Sequence, residues 1–289
     1  MHKYSLKFAA LMVGVLAATL PLTACGDDDD DDAPDAPSVS VSVPRPTKLM
    51  YGNHTLISIS YDSYGRMTKF ENVDSDGDGY AIEVSYSPFK YVNRELETNS
   101  TVATMTISDA TFNSRGFITK AKVTDIYEGD KDTYSVAFGY DSDGHLTSLT
   151  ADGERNNLTW TNGNLVNFGG EMVYAYSDQK NTAQNVCVTA YAGTLAEFWL
   201  TGLFGEVPAN LPSKCEMVYD NEEALFAYTL NSDGSIKSET LTSYGDYAMT
   251  IDYVYGARSL DNAFSRPAGD VKSFKSQKRI SNPLRFLRK

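Results

Sequence analysis

The sequence predicts an all-β domain: a large antiparallel meander of about a dozen strands, strongly curved or closed into a barrel, with one short helical insert. Three observations predict it. A hairpin unit recurs, apolar residues alternate with polar ones at period two, and turn-forming residues separate the alternating runs. The unit is clearest at Tyr61-Asp62-Ser63-Tyr64-Gly65-Arg66-Met67-Thr68 and at Tyr140-Asp141-Ser142-Asp143-Gly144-His145-Leu146-Thr147. Looser copies run from Phe112 to Thr119 and from Leu230 to Lys237, and Trp160-Thr161-Asn162-Gly163-Asn164-Leu165 is a shorter version. In each, an apolar or aromatic residue closes one strand and a polar turn carries Gly at its left-handed position. An apolar residue two places after the Gly then opens the next strand.

Period two begins at Leu49. Ile57, Ile59 and Tyr61 share one strand face, with Ser58 and Ser60 on the other. Tyr80, Ile82, Val84 and Tyr86 repeat the pattern, as do Tyr134, Val136, Phe138 and Tyr140, and then Tyr247, Met249, Ile251, Tyr253 and Tyr255. Tyr, Val, Ile and Thr dominate these runs, in agreement with strand preference. One apolar and one polar face per strand means antiparallel sheet packed on one side. A flat open sheet of that width would curl or close. The chain has 289 residues, 42% of them hydrophobic and 19 of them Tyr, enough for one large all-β core.

One stretch breaks the alternation. Residues 194–205 place Leu195, Phe198, Trp199 and Leu203 at helical spacing, with Thr194 as N-cap and Gly205 as stop. Pro208 and Pro212 prevent continuation. The insert either covers an open end of the core or forms a lid, with Phe198 and Trp199, over a ligand cavity.

The ends of the chain are different in kind. His2, Lys3 and Lys7 precede an apolar run from Phe8 to Leu20 that is too short to span a bilayer, which marks residues 1–24 as a signal peptide. Leu22-Thr23-Ala24-Cys25 resembles the lipobox of bacterial lipoproteins. The resemblance implies cleavage before Cys25 and diacylglycerol on its sulfur, an anchor in the outer membrane. Gly26 and the six aspartates Asp27 to Asp32 are similar to the signal that exports Bacteroidetes lipoproteins to the cell surface; otherwise the protein sits on the periplasmic face. Residues 25–48 read as an acidic, Pro-rich tether, 49–257 as the β-sheet domain and 258–289 as a disordered tail. That tail carries Arg266, Lys272, Lys275, Lys278, Arg279, Arg285, Arg288 and Lys289 against Asp270.

Charge and chemistry narrow the function classes. Removing Lys3 and Lys7 from the 25 Lys and Arg leaves 23 against 38 Asp and Glu, a net charge of −15 for the mature chain. So acidic a protein is no nucleic-acid binder. No G-x-S-x-G, H-E-x-x-H, P-loop or G-x-G-x-x-G motif occurs. In the mature chain the histidines are His54 and His145, both read as surface residues, and no catalytic set emerges. No cofactor is called for, with one exception: Asp74-Ser75-Asp76-Gly77-Asp78-Gly79 matches the opening of a calcium loop. Asp74, Asp76, Asp78 and Glu83 are then the candidate ligands, against the plainer reading of a tight Asp/Gly hairpin. Cys187 and Cys215 both lie in apparent strands and are candidates for a disulfide in an oxidising compartment.

The units at Tyr61 and Tyr140 resemble the YD repeats of bacterial cell-surface and Rhs-type proteins, with irregular spacing between copies. Lipobox, acidic tether, Tyr-rich hairpins and an insert ending in Asn210-Leu211-Pro212-Ser213 are together similar to Bacteroidales surface lipoproteins of unknown function with a porin-like fold. This resemblance implies a large antiparallel sheet or barrel and no catalytic residues. The expectation is a non-enzymatic surface protein that binds a glycan or another extracellular partner. Its rivals are a carrier of a small apolar ligand inside the barrel and a membrane-spanning porin.

Overall fold

The computed structural model describes residues 45–191, 195–218, 222–243 and 247–256. The signal peptide, Cys25, the aspartate run, Thr194 and the basic tail lie outside the described residues. The first strands are β1 (Pro46–Tyr51), β2 (His54–Tyr61), β3 (Met67–Val73), β4 (Gly79–Tyr86) and β5 (Phe89–Glu97). They continue as β6 (Ser100–Phe112), β7 (Ile118–Tyr127), β8 (Asp130–Tyr140), β9 (Leu146–Ala151), β10 (Glu154–Thr161), β11 (Asn164–Phe168) and β12 (Met172–Lys180). Two short helices follow, α1 (Val188–Tyr191) and α2 (Ala196–Thr201). The chain then completes β13 (Asn210–Met217), β14 (Glu222–Leu230), β15 (Ile236–Ser243) and β16 (Tyr247–Tyr255).

Each strand pairs antiparallel with its neighbours in sequence, and β1 pairs with β16 to close the barrel. The curved all-β meander is therefore as expected, but it has sixteen strands rather than about a dozen. The miscount has a physical cause: a two-residue loop such as Thr98-Asn99, both residues at positive φ, breaks a long run with little sequence signal. The domain also begins earlier than residue 49, because Pro46 already pairs with Tyr255.

The alternating faces fall as the pattern requires. Ile57, Ile59, Tyr80, Ile82, Val84, Val136, Phe138, Met249 and Ile251 are all buried inside. The outer face carries ion pairs such as Lys69–Glu71 at 2.7 Å, Arg94–Glu83 at 2.9 Å and Lys214–Glu223 at 2.7 Å. This polarity is the reverse of a lipid-spanning barrel, whose apolar band faces outward around a polar lumen.

The recurring unit is one device used along one rim. Every connection from an even strand to the next odd strand lies at that end. At Asp62 the backbone N–H donates to the Arg66 carbonyl at 2.9 Å, and the Asp62 carboxylate accepts the N–H groups of Tyr64 and Arg66, both at 2.9 Å. Asn113 and Asp141 repeat this with Phe117 and His145. The following apolar residue, Met67, Ile118, Leu146, Leu165 or Ile236, is fully buried. Its carbonyl, or that of the residue at the same place in the strand, accepts a hydrogen bond from an aromatic in the rim-side half of the next strand. Tyr86 donates to Met67 at 2.8 Å, Tyr140 to Ile118 at 2.8 Å, Trp160 Nε1 to Leu146 at 2.8 Å, Tyr176 to Leu165 at 2.7 Å and Tyr255 to Ile236 at 2.8 Å. Tyr61 closes the ring on Pro46 at 2.9 Å.

The insert leaves β12 at this same rim and folds into the lumen. Leu195, Ala196, Phe198, Leu200, Leu203 and Phe204 are fully buried. Phe198 stacks on Phe204 at 4.1 Å between ring centroids, with Tyr91 and Phe138 edge-on to the pair. The rim turns grip it: Ile118 N donates to Leu203 O at 2.9 Å, Glu206 N to Gly144 O at 3.0 Å and Ala209 N to Gly163 O at 2.9 Å. A Cβ on Gly205 would stand 2.6 Å from the Gly144 carbonyl, so this contact requires glycine. The helix itself is shorter than residues 194–205; Leu195 is its N-cap with no side-chain bond, and Gly202 at φ 75° ends it. Tyr140→Phe leaves the Ile118 carbonyl without its rim donor and is expected to cost about 1–2 kcal/mol. Urea unfolding with an unchanged m-value is the check.

Candidate functional site

The insert fills one end, where a groove of about 360 Å³ remains beside Lys180, Gln184 and Glu206, and a larger concave surface lies at the other end. Strands β5 to β8 are long, with β6 reaching 13 residues, and β8 runs from Asp130 past its first pairing with β9 at Val136 on that mouth. By period two, Glu95 continues the face of Tyr91 and Asn93, Ala103 that of Met105 and Ile107, and Tyr127 that of Val123. The register then sets Glu95 opposite Ala103 and Ala103 opposite Tyr127. A glutamate and a tyrosine thus flank a small residue, roughly 9–10 Å apart across two strand spacings. The groove they border measures about 450 Å³ and is also lined by Glu97, Thr101, Ile126 and Glu128.

Local chemistry fixes the tip. Glu128 at φ 51° and Gly129 at φ 89° form a two-residue loop of the primed type, whose twist matches the hairpin. This leaves Tyr127 60% exposed and Ile126 41% exposed. The carboxylates of Glu128, Glu95 and Glu97 hold the Tyr127 hydroxyl above its ordinary pKa, so the phenol stays neutral and able to donate. An exposed aromatic ring ringed by carboxylates can stack on an apolar ligand face and accept its hydroxyl or amine donors.

The residues expected from sequence are placed elsewhere. Phe198 and Trp199 belong to the core: Trp199 is 2% exposed, edge-on to Tyr191 at 4.9 Å and to Trp160 at 6.4 Å. Cys187 and Cys215 are both free and buried, and the expected disulfide is not formed. Cys187 precedes α1 rather than lying in a strand, because the alternation around it belongs to the insert. Burial pushes the Cys187 thiol well up and that of Cys215 to about 12, which makes both unreactive.

The aspartates of the calcium-like stretch form a copy of the rim turn at the opposite mouth. Asp74 N donates to Asp78 O at 2.9 Å, and the Asp74 carboxylate accepts from Asp76 N at 3.1 Å and Asp78 N at 2.9 Å. The Asp78 carboxylate accepts from Thr98 N at 2.8 Å. Glu83 lies four residues along β4 and pairs with Arg94 instead, so the structure does not gather these four ligands. Among the described residues, Asp141, Asp143 and His145 do bring ligand atoms within 4.8 Å of one another. There Asp141 is the anchor of its turn, and His145 stacks on Trp160 at 4.2 Å.

Sequence reasoning missed Tyr127 and Glu95, whose signal was a Tyr-Glu-Gly tip on a strand that begins apolar. It also missed Glu239, a carboxylate at an apolar position of β15 between Ile236 and Leu241.

Residues 59–243 match a family described as a domain of unknown function (DUF4595) with porin-like fold. The chain belongs to this family. The match covers well over half of the sequence. No curated protein matches the chain. Among solved structures it is similar to a porin-like protein from Bacteroides uniformis at 16% identity and a TM-score of 0.48, over 74% of this chain and 98% of that one. Within the family fold, this member's interior is held by the insert. Trp199→Ala is therefore expected to cost on the order of 3–5 kcal/mol, read as a lower midpoint in chemical denaturation.

Proposed function

We propose that the protein is a non-enzymatic, lipid-anchored cell-surface scaffold that binds a glycan at the Tyr127 groove. One observation carries the reading: Tyr127 stands largely exposed on a rigid hairpin, in a groove edged by Glu95, Glu97 and Glu128. Tyrosine presents an apolar face that stacks on a sugar ring and a hydroxyl that hydrogen-bonds its edge. Carboxylates accept the sugar's hydroxyl donors. The groove sits at the end opposite Pro46, where the chain enters the barrel.

The carrier reading has less support, because the places a cargo would take are occupied by Phe198, Trp199 and Phe204. A spanning porin has less still, given the ion pairs on the outer face.

Glycan arrays probed with the soluble Cys25→Ser protein test the proposal, followed by calorimetry on any hit. Tyr127→Ala is expected to weaken binding at least tenfold with an unchanged Tm, since the side chain contributes little to packing. Equal affinity of wild type and Tyr127→Ala, or no glycan bound by either, would overturn it.

A further inference from the structure

Besides the rim bonds and the contact of Glu197 on α2 with Tyr80, the insert meets the barrel wall at a buried carboxylate on β15. Glu239 projects inward from β15 and is 0% exposed. Its Oε1 accepts a hydrogen bond from Thr189 Oγ1 on α1, and its Oε2 accepts one from the Tyr253 hydroxyl on β16 at 2.7 Å. Tyr228 on β14 is its direct cross-strand neighbour. Cys187, just before α1, completes the surroundings. The titratable groups facing Glu239 are therefore two phenols and a thiol, all raised by burial and all neutral through the physiological range. None is cationic, so among the described residues a charge on Glu239 has donors but no counter-ion.

We propose that Glu239 is a proton-controlled latch: neutral, it holds α1 of the insert against strands β14 to β16; ionised, it favours release of that segment into water. The supporting energetics agree in sign. Burial raises the Glu239 carboxyl from its ordinary 4.5 to about 7, while the bonds from Thr189 and Tyr253 act to lower it. In an opened state the hydrated carboxylate returns towards its ordinary value. The closed form is then fully favoured below about pH 4.5 and loses that advantage as pH rises through about 7. Between these limits the opening constant grows about tenfold per pH unit, and it levels off above them. Thr189 and Tyr191 of α1 reach the wall through their side chains, to Glu239 and Tyr176.

Hydrogen–deuterium exchange on the full chain between pH 5 and 8 tests this, with rates corrected for intrinsic exchange. The probes are the amides of Tyr191 and Leu195, which donate to Cys187 O and Tyr191 O within the insert. Their protection should fall about tenfold per pH unit up to about pH 7 in the wild type, and stay flat in Glu239→Gln. If Glu239→Gln does not fold, Thr189→Val and Tyr253→Phe keep the carboxyl and each remove one donor that lowers its pKa. The midpoint of the protection step should then move to higher pH. A flat wild-type profile, a step that persists in Glu239→Gln, or an equal loss of protection along β8 would overturn the latch. The last outcome would report global stability rather than local opening.

Discussion

A barrel of sixteen strands is too wide to be filled by its own inward side chains. Porins accept that consequence and hold water. Here the inward face is apolar, and a wet lumen lined by Ile59, Ile82, Ile107, Val136 and Ile251 would forfeit most of the stabilisation that folding gains from burial. Something must occupy the space, and the described insert residues 181–191 and 195–209 do. Phe198, Trp199, Leu200, Leu203 and Phe204 supply the volume that the wall cannot. The insert is thus a part of the core delivered from outside the sheet, and the rest of the architecture serves its delivery.

That dependence explains why the repeated turn sits where it does. Turns at Asn113, Asp141, Asn162 and Asn231 lie on the rim through which the insert enters, and their backbone groups are the ones that bind it. At Asn113 and Asp141 the side chain satisfies the backbone N–H groups of its own turn, and in the Asn231 turn Asp233 accepts from Ser235 N. The rigid loop then offers its remaining carbonyls at fixed positions. The aromatic ring of the rim, Tyr61 through Tyr255, performs the same service for strand-opening carbonyls that the curvature would leave half-paired. Irregular spacing of the copies follows from strand lengths that vary between 5 and 13 residues, so the motif recurs in space more regularly than in sequence.

The two ends of the barrel consequently differ in what they can do. One is closed by the insert and laced by backbone bonds. The other carries hairpins that overshoot the core and expose Tyr127 and Ile126 beside carboxylates. A rigid wall beneath such hairpins limits the entropy lost when a partner binds them. The family's porin-like fold therefore describes the path of the chain, while the distribution of polar and apolar residues across the wall runs opposite to that of a lipid-spanning barrel.

Local physics made much of this legible in advance. Alternation in Tyr80–Tyr86 and Tyr134–Tyr140 determined which side chains face inward, because the side-chain period of a strand depends on the backbone alone. The Tyr-Asp-x-x-Gly unit determined hairpins for the same reason, and helical spacing around Phe198 and Trp199 determined the insert. The strand number, closure through Pro46 and Tyr255, and the descent of the insert into the lumen were decided only by tertiary structure, since each depends on pairing between residues far apart in sequence. The same holds for individual residues. Asp74-Ser75-Asp76-Gly77-Asp78 has a sequence that fits either a cation or its own amides, and only the folded turn shows which donors reach the carboxylates. Glu239 reads as one acid among 38, and its partners on α1 and β16 meet it only once the barrel has closed around the insert.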